Sequence, residues 1–327
     1  MRIEVFVTFG VMLDIRQVSY SYNDKPAVSE VSFTAERGQH ISIIGESGSG
    51  KSTLLKLLFG MYDLDSGEIV YDGTPVLGPK FNLIPGMEGF QYLAQDFGLM
   101  PFISAAENVG KFLSNIDKKK KRERVDELLE VVEMSDFADV HVKNLSGGQQ
   151  QRIALAKALA PVPELLLLDE PFSQIDVFRS NTLRRKVYSY LKENKITCIT
   201  ATHDSDDVLS FSDLVIVMKD GKVVDSGRPK EIYRNPTSYY VASLFGDVND
   251  VPRYLLAPAT DREETMLLYP YMLRAVDHLG LRVVVENSYF RGTHYLIEAK
   301  YSHGVIYFEH PVPFEKKTGV FLGLKKT

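Results

Sequence analysis

The chain has 327 residues, of which 44% are hydrophobic and 25% are charged, and its formal net charge is −5. These values are ordinary for a globular protein, and the length predicts about two domains with room for a large core. The acidic balance argues against a general nucleic-acid binder, because such proteins are usually basic. No apolar run approaches the ~18 residues that a membrane-spanning helix needs, so no such helix is expected.

Residues 1–11 have the character of an N-terminal extension, because Met12 opens the alternating strand pattern that follows. Glu4 interrupts the apolar run of this extension and no small-residue cleavage site follows it, so a signal peptide is not expected. The single cysteine, Cys198, lies in an apolar run, which favours a buried structural thiol. Together these features predict a cytoplasmic protein.

The first half of the chain predicts antiparallel strands, a buried strand and then helices. Met12–Tyr20 and Val28–Thr34 alternate apolar and polar residues on either side of a turn at 23–26, which is typical of paired, half-buried strands. Ile41–Ile44 is a short apolar run of the kind found in buried strands. The region 101–145 has helical periodicity.

The second half alternates strand and helix patterns. Leu165–Leu168 and Ile196–Thr202 are continuous apolar runs, which predict parallel strands buried on both faces. Helical patterns occupy 149–160 and 181–193. Such alternation predicts an α/β fold with a largely parallel sheet.

A glycine-rich loop follows the predicted strand Ile41–Ile44 and opens a helix. Strand, loop and helix in this order are the context of the phosphate-loop motif, in which backbone N–H groups and a helix N-terminus surround phosphate oxygens. Lys51 can reach the terminal phosphates, and the Ser52 hydroxyl can bind a magnesium ion. The alternative is a Gly/Ser loop that precedes a lysine by chance, which the flanking strand and helix disfavour. The motif consists of Gly45, Glu46, Ser47, Gly48, Ser49, Gly50, Lys51, Ser52 and Thr53.

Two adjacent carboxylates, Asp169 and Glu170, directly follow the predicted strand Leu165–Leu168. At this position Asp169 can contribute to a magnesium coordination shell, and Glu170 can orient or deprotonate an attacking water. The alternative is a pair of solvated acids at a strand end, which a phosphate loop in the same chain disfavours.

Three further features add to the candidate site. Ser146, Gly147, Gly148 and Gln149 open a helix with a good N-cap and exposed N–H groups, which is either a second anion-binding site or simply a cap. His203 ends a predicted strand and could stabilise a terminal phosphate, although a lone histidine is more often structural. Gln95 lies where a strand meets the helical region and could contact the metal and water.

Taken in order, these motifs resemble the nucleotide-binding subunits of ABC transporters over about residues 12–245. Gly45–Thr53 matches the Walker A motif, Leu145–Gln149 the LSGGQ signature and Leu165–Glu170 the Walker B motif with its catalytic glutamate. The resemblance is specific, because these motifs occur in the family's order and at family-like spacing.

Further positions extend the resemblance. Gln95 corresponds to the family's Q-loop and His203 to its switch histidine. Tyr22 lies where the family has an aromatic that stacks on adenine, with Tyr20 as the rival position. The family's D-loop usually reads Ser-Ala-Leu-Asp. The corresponding segment here, Ser173–Asp176, keeps the final aspartate but has Gln174 and Ile175 at the two middle positions.

The resemblance implies a P-loop NTPase core sheet with an antiparallel β-subdomain and a helical subdomain at about 97–160. It implies ATP and Mg²⁺ as ligands, the metal being held by Ser52, Gln95 and Asp169, and it assigns catalysis to Glu170, His203 and Gln95. Two copies, or this chain and a second ATPase subunit, would pair head to tail. The signature residues of one copy and its Asp176 would then close on ATP bound by the phosphate loop and Tyr22 of the other.

Residues 259–327 carry short strand patterns about 10–13 residues apart, which predict a small barrel or sandwich after a linker at 247–258. This region resembles the small all-β, OB-like TOBE domain of many import ATPases, so residues 12–246 would form the ATPase domain. That likeness points to the importer group that handles polyamines, ferric iron, oxyanions or sugars.

The expected function is therefore ATP hydrolysis coupled to solute import through separate membrane permease subunits, at the cytoplasmic face of the membrane. An extracytoplasmic solute-binding protein would take part indirectly, and no nucleic acid is expected. One alternative is a soluble ABC ATPase of DNA repair or translation, but such proteins need a coiled-coil insertion or tandem ATPase halves. The other is a non-catalytic ATP-binding regulator, against which Lys51, Glu170 and His203 argue.

Overall fold

The computed structural model describes residues 10–175, 177–256 and 264–325. The chain divides into two compact units between residues 230 and 231. Within the described ranges, no helix combines the length and the apolar character needed to cross a membrane. Most of the expected N-terminal extension lies outside these ranges.

The first unit contains β1 (Val11–Tyr22), β2 (Lys25–Glu36), β3 (His40–Ile44), α1 (Lys51–Leu58), β4 (Ser66–Tyr71), β5 (Thr74–Pro75), β6 (Phe90–Leu93), α2 (Ala105–Val109), α3 (Lys118–Val131), α4 (Gly147–Leu159), β7 (Leu165–Asp169), α5 (Val177–Glu193), β8 (Thr197–Thr202), α6 (Ser205–Phe211), β9 (Leu214–Lys219) and β10 (Lys222–Gly227). Helix α7 (Pro229–Arg234) spans the division.

A six-stranded sheet in the order β10-β9-β3-β8-β7-β6 forms the centre of the first unit. All of its neighbouring strands are parallel except β10, which forms a hairpin with β9. Every residue of β3, β7 and β8 is buried, as continuous apolar runs require when helices cover both faces of a sheet. The predicted α/β class is confirmed.

Two hydrophobic cores lie on opposite faces of this sheet, because successive side chains of a strand point in opposite directions. Leu166 and Leu168 of β7 join a core with α3, α4 and α5. Leu165 and Leu167 join the other core, which includes α1 and strands β1 and β2. Cys198 is fully buried in the first of these cores, as its apolar surroundings in the sequence predict.

A second, antiparallel sheet in the order β2-β1-β4-β5 contains the two alternating runs near the N-terminus. The helical region comprises α2, α3 and α4. Ser104 caps α2 in a reciprocal capping box with Glu107. Asp117 caps α3 by accepting from two backbone N–H groups, so the lysines that follow it form the exposed start of a helix.

The second unit contains α8 (Tyr239–Ser243), β11 (Asn249–Pro252), β12 (Thr265–Leu268), β13 (Leu273–Val276), β14 (Leu281–Phe290), β15 (Tyr295–Tyr301), β16 (Gly304–His310) and β17 (Gly319–Leu324). Five of these strands form an antiparallel sheet in the order β13-β17-β14-β15-β16, and β11 pairs with β12. One core fills this unit, with Val283, Ile297 and Phe308 fully buried. The predicted all-β character of the C-terminal region is confirmed.

The observed division differs from the boundary expected from the sequence. The compact unit begins at Glu231, whereas the sequence suggests a linker at 247–258. Residues 249–252 of that stretch form β11, in which Asn249 and Val251 are buried. Four residues containing a proline give too short an alternation to be recognised as a strand without the partner β12.

Candidate active site

The phosphate loop connects β3 to α1, as its sequence predicts. A Cβ at Gly45 or Gly50 would lie 2.2 or 2.3 Å from a backbone carbonyl oxygen, so neither position can carry a side chain. Gly50 also has a φ of 101°, which glycine adopts without strain. The loop exposes Glu46, Ser47 and Gly48, while Gly45 and Ser49 are buried beneath it.

Lys51 is the first residue of α1 and is only 8% exposed. Its Nζ donates to the carbonyl oxygens of Gly45 (2.7 Å) and Glu46 (2.9 Å). Burial lowers the pKa of Lys51 from its ordinary value, while the carboxylates of Glu170 and Asp169 oppose that shift. The ammonium group therefore lies within the loop and within electrostatic reach of both acids.

An open cavity of about 570 Å³ adjoins the phosphate loop, and its lining includes Tyr22, Lys25, Lys51 and Thr53. The Tyr22 hydroxyl lies 3.5 Å from Thr53 Oγ1, and its ring is 40% exposed. Tyr20, the rival in the sequence, is not among the lining residues. Of the two tyrosines, only Tyr22 lines this cavity, and its contact with a nucleotide base stays a prediction.

Asp169 lies at the end of β7 and is buried. Ser52 Oγ donates to its Oδ1 (2.8 Å), and the Tyr92 hydroxyl donates to its Oδ2 (3.3 Å). A hydroxyl and a carboxylate side by side are the oxygen ligands that Mg²⁺ accepts together with substrate phosphates. The pair therefore fits a magnesium ion that would be held by Ser52 and Asp169.

Glu170 and His203 form a pair at the ends of neighbouring strands. His203 Nδ1 lies 3.0 and 2.8 Å from the two carboxylate oxygens of Glu170. The register of the two parallel strands explains this contact. Asp169 at the end of β7 lies opposite Ala201 of β8, so Glu170 and His203 follow at the same edge of the sheet. The Glu170 side chain is 17% exposed and that of His203 69%, so the pair faces solvent where a water molecule can be activated.

The LSGGQ signature, Leu145–Gln149, forms the N-terminal cap of α4. Ser146 Oγ accepts from Gln149 N (3.3 Å), and Gln149 Oε1 accepts from Ser146 N (2.9 Å), which is a capping box. Ser146 and Gly147 are exposed. A Cβ at Gly148 would lie 2.5 Å from the Gln174 carbonyl oxygen, so the segment packs closely against the D-loop.

Gln151, which the sequence reasoning did not identify, links helix α4 to the turn that follows β7. Its side chain is 2% exposed. Its Nε2 donates to the carbonyl oxygen of Glu170 (2.8 Å), and its Oε1 accepts from Gln174 N (3.0 Å). One buried amide group therefore connects helix α4 to the backbone of Glu170 and to that of Gln174.

Two predicted site residues are not joined to this network. Gln95 follows β6 and is exposed, and no hydrogen bond among the described residues connects it to Asp169 or Glu170. Its predicted metal and catalytic roles remain predictions. Asp176, the predicted D-loop aspartate, lies outside the described residues.

Tyr92 is a second residue that the sequence reasoning missed. Burial is the main reason that its pKa is raised well above the ordinary value, and the charge of Asp169 adds to the shift, so its hydroxyl stays a neutral donor. Both missed residues are polar groups in patterns that otherwise look like core. A polar side chain on the buried face of α4, or in a buried strand beside Asp169, is the signal that could have found them.

The fold and this arrangement of residues define an ATPase of the P-loop class. The sequence profile of the family described as "ABC transporter" matches residues 28–173. The chain is 38% identical over 72% of its length to the Fe(3+) ions import ATP-binding protein FbpC 2 of Pectobacterium atrosepticum, covering 68% of that protein. It is also 38% identical over 74% of its length to the sulfate/thiosulfate import ATP-binding protein CysA of Synechococcus elongatus, covering 70% of it.

Among solved structures, the chain is similar to a dimeric, post-hydrolysis state of the ATP-binding cassette MJ0796 bound to ADP and Pi. The TM-score is 0.59 at 28% identity, over 67% of this chain and 99% of the other. The chain belongs to the ABC transporter family, as an ATP-binding subunit. It binds and hydrolyses ATP, with Mg²⁺ as the partner ion.

Proposed function

We propose that this chain is the peripheral ATPase subunit of a transporter and that its ATP hydrolysis drives solute import. It acts on the cytoplasmic face of the membrane, in complex with separate permease subunits. The observation that carries the catalytic part is the contact between Glu170 and His203 beside the phosphate loop. The similar chains named as import subunits support the direction of transport. This role matches a chain whose described helices do not span a membrane.

The distances and hydrogen bonds of the site support the following division of roles. Lys51 and the loop N–H groups would bind the β- and γ-phosphates, and Ser52 and Asp169 would hold the magnesium ion. When bound, that ion neutralises charge developing on the phosphates. Glu170 orients the attacking water and accepts its proton, and His203 holds the Glu170 carboxylate in place.

We assign the signature residues to ATP bound by a second copy of the chain. Ser146 and Gly147 are exposed at the N-terminus of α4, where a partial positive charge and free N–H groups favour a phosphate. The similar cassette MJ0796 is described as a dimer. We propose that two copies pair head to tail and that Asp176 lies at the same interface.

The permease is proposed to dock on the helical region. Phe102, Phe112 and Ile116 are 72%, 73% and 97% exposed there, respectively. Phe112 also lines a cavity of about 250 Å³, together with Lys157. Large apolar side chains exposed on a surface are candidates for protein association.

The dimer is tested with the Glu170→Gln variant, which should retain ATP without hydrolysing it. With ATP and Mg²⁺ this variant should elute as a dimer in size-exclusion chromatography. Adding Ser146→Arg should return it to a monomer that still binds ATP, whereas Ser114→Arg, an exposed change in the helical region, should leave the dimer intact. A dimer that is indifferent to Ser146→Arg would contradict the composite site.

The transport role is tested by co-expression with the permease genes next to the chain's own gene. The chain should co-purify with the membrane subunits, and Phe112→Ser should abolish this association. Phe290→Ser, a change at an equally exposed phenylalanine of the second unit, is the matched control. Recovery of the chain only with ribosomes or DNA would refute the proposal.

A further inference from the structure

The second unit contains a cavity of about 260 Å³ that the ATPase function does not use. Its lining includes Tyr233, Tyr269 and Tyr271 together with Asp247, Arg291 and Glu309. All of these residues belong to the second unit. The cavity combines aromatic rings with a small number of charged groups, which is the usual composition of a small-molecule site.

The three tyrosine rings are stacked within 7° of parallel. The centroid of Tyr269 lies 4.5 Å from that of Tyr233 and 6.0 Å from that of Tyr271. Tyr269 is 4% exposed, and its hydroxyl donates to the carbonyl oxygen of Ala242 (3.3 Å). Burial raises the pKa of Tyr269 to about 12, so its ring stays uncharged. Phe245 lies edge-on to Tyr233, with ring centroids 6.0 Å apart.

The carboxylates of the cavity have unused hydrogen-bonding capacity. Asp247 Oδ2 lies 3.9 Å from Arg291 Nη2, and Glu309 Oε1 lies 3.6 Å from His294 Nε2. Both distances exceed that of a hydrogen bond. Among the described residues, no side chain forms a hydrogen bond to either carboxylate.

The charges favour a cation over an anion. Asp247 and Glu309 contribute two negative charges and Arg291 one positive charge, so the cavity is negative when His294 is neutral. An anion that approached Arg291 would also meet both carboxylates. A positive ligand gains from both carboxylates and from the electron-rich faces of the tyrosine rings.

We propose that this cavity is a binding site for a small organic ammonium ion. The N–H groups of the ligand donate hydrogen bonds to Glu309 and Asp247, and its carbon skeleton lies against the tyrosine stack. The volume limits the ligand to about ten to fifteen non-hydrogen atoms, since a pocket of this size is at the small end of ligand sites. The site does not depend on the role proposed for the ATPase unit.

The experiment is calorimetric titration of the full-length chain with benzylammonium and 1,4-diaminobutane. Benzyl alcohol and benzoate serve as the neutral and anionic counterparts of the first probe. At least one amine should bind saturably at one site per chain, about tenfold or more tighter than benzyl alcohol. Benzoate should not compete.

Variants locate the site. Glu309→Gln and Tyr271→Leu should each weaken amine binding about tenfold, with circular dichroism confirming that they are folded. Glu315→Gln, an exposed change in the same unit, should leave the affinity unchanged. The proposal is overturned if neither amine binds saturably, if benzoate binds as tightly as the amine, or if both cavity variants bind like the unmodified chain.

Discussion

At the scale of single residues, the backbone of Glu170 is the most informative feature of the site. Its φ of 53° lies in the left-handed region, which costs energy for a residue other than glycine and is typical of functional sites. Its N–H donates to the Ala201 carbonyl (3.0 Å), and its own carbonyl accepts from Gln151 and Ser173. These bonds hold a turn that directs the carboxylate to His203.

Glu170→Gln should lower the ATPase rate by about 10²-fold or more while ATP binding persists, because the amide cannot accept a proton from water. The rate is measured by phosphate release and binding by equilibrium titration. Glu193→Gln, an exposed change at the end of α5, should have no effect. Undiminished turnover in Glu170→Gln would refute the assigned role.

Lys51→Ala should abolish tight ATP binding, because it removes the cation held inside the phosphate loop. Binding is measured by titration with ATP and Mg²⁺. Lys56→Ala, a change in the last turn of the same helix, is the matched control. An unchanged nucleotide affinity would contradict the function assigned to the loop.

Tyr92→Phe should raise the Mg²⁺ concentration needed for half-maximal ATPase activity by up to about tenfold, because outer hydrogen bonds orient metal-binding carboxylates. Among the described residues, the side chains of Tyr92 and Ser52 donate to the Asp169 carboxylate. The measurement is a Mg²⁺ titration at constant ATP. The same Mg²⁺ requirement in both proteins would show that this hydrogen bond does not position Asp169.

At the scale of elements, α4 and the end of β7 are joined by the Gln151 amide. The helix that carries the signature at its N-terminus therefore also supports the backbone of Glu170, the proposed catalytic residue. In the proposed dimer, Ser146 contacts the ATP bound by the second copy. A shift of α4 on that contact would move the backbone of Glu170. If two copies pair as proposed, this connection would link their closure to the position of Glu170.

Gln151→Glu should lower kcat about tenfold with little change in KM, because the carboxylate keeps the acceptor for Gln174 N but cannot donate to the Glu170 carbonyl. Gln151→Leu, which removes every side-chain hydrogen bond of this residue, should lower kcat further. Steady-state kinetics separate kcat from KM. Equal kcat values for both variants and the unmodified chain would show that the bridge has no part in turnover.

At the scale of the whole molecule, the buried histidine of the central sheet makes stability depend on pH. His40, the first residue of β3, is 3% exposed, and this burial lowers its pKa to about 4. The charge of Lys192 also lowers the pKa, whereas the charge of Asp213 opposes the shift. An unfolded histidine titrates near 6.5. Between those values the unfolded chain binds the proton and the folded chain does not, so stability falls as pH decreases from about 6.5 towards 4.

His40→Phe should remove this part of the pH dependence. Between pH 7.5 and pH 5 the unmodified chain should lose about 2 kcal/mol more stability than the variant, as its folded state resists protonation. Urea unfolding at both pH values measures the difference. His278→Gln, a change at an exposed histidine, should behave like the unmodified chain, and identical pH slopes in all three proteins would contradict the prediction.

Much of the fold and site follows from the sequence, because its signals are local. Continuous apolar runs indicate the buried strands, and a glycine-rich loop before Lys51 predicts phosphate binding from backbone geometry alone. The acids that follow Leu165–Leu168 and the histidine that follows Ile196–Thr202 are each predicted as site residues from their place at a strand end. The structure brings Glu170 and His203 into contact, because parallel strands end at one edge of the sheet. The resemblance to ABC transporter subunits rests on these same residues.

Only the tertiary structure decides which polar groups contact one another across the chain. The bridge from Gln151 to Glu170 and the hydrogen bond from Tyr92 to Asp169 join residues on different elements, and their sequence patterns look like ordinary core. The strand β11 is recognisable only through its partner β12. The stacked tyrosines of the second unit come from separate segments, so the sequence contains each ring but not the cavity that they form.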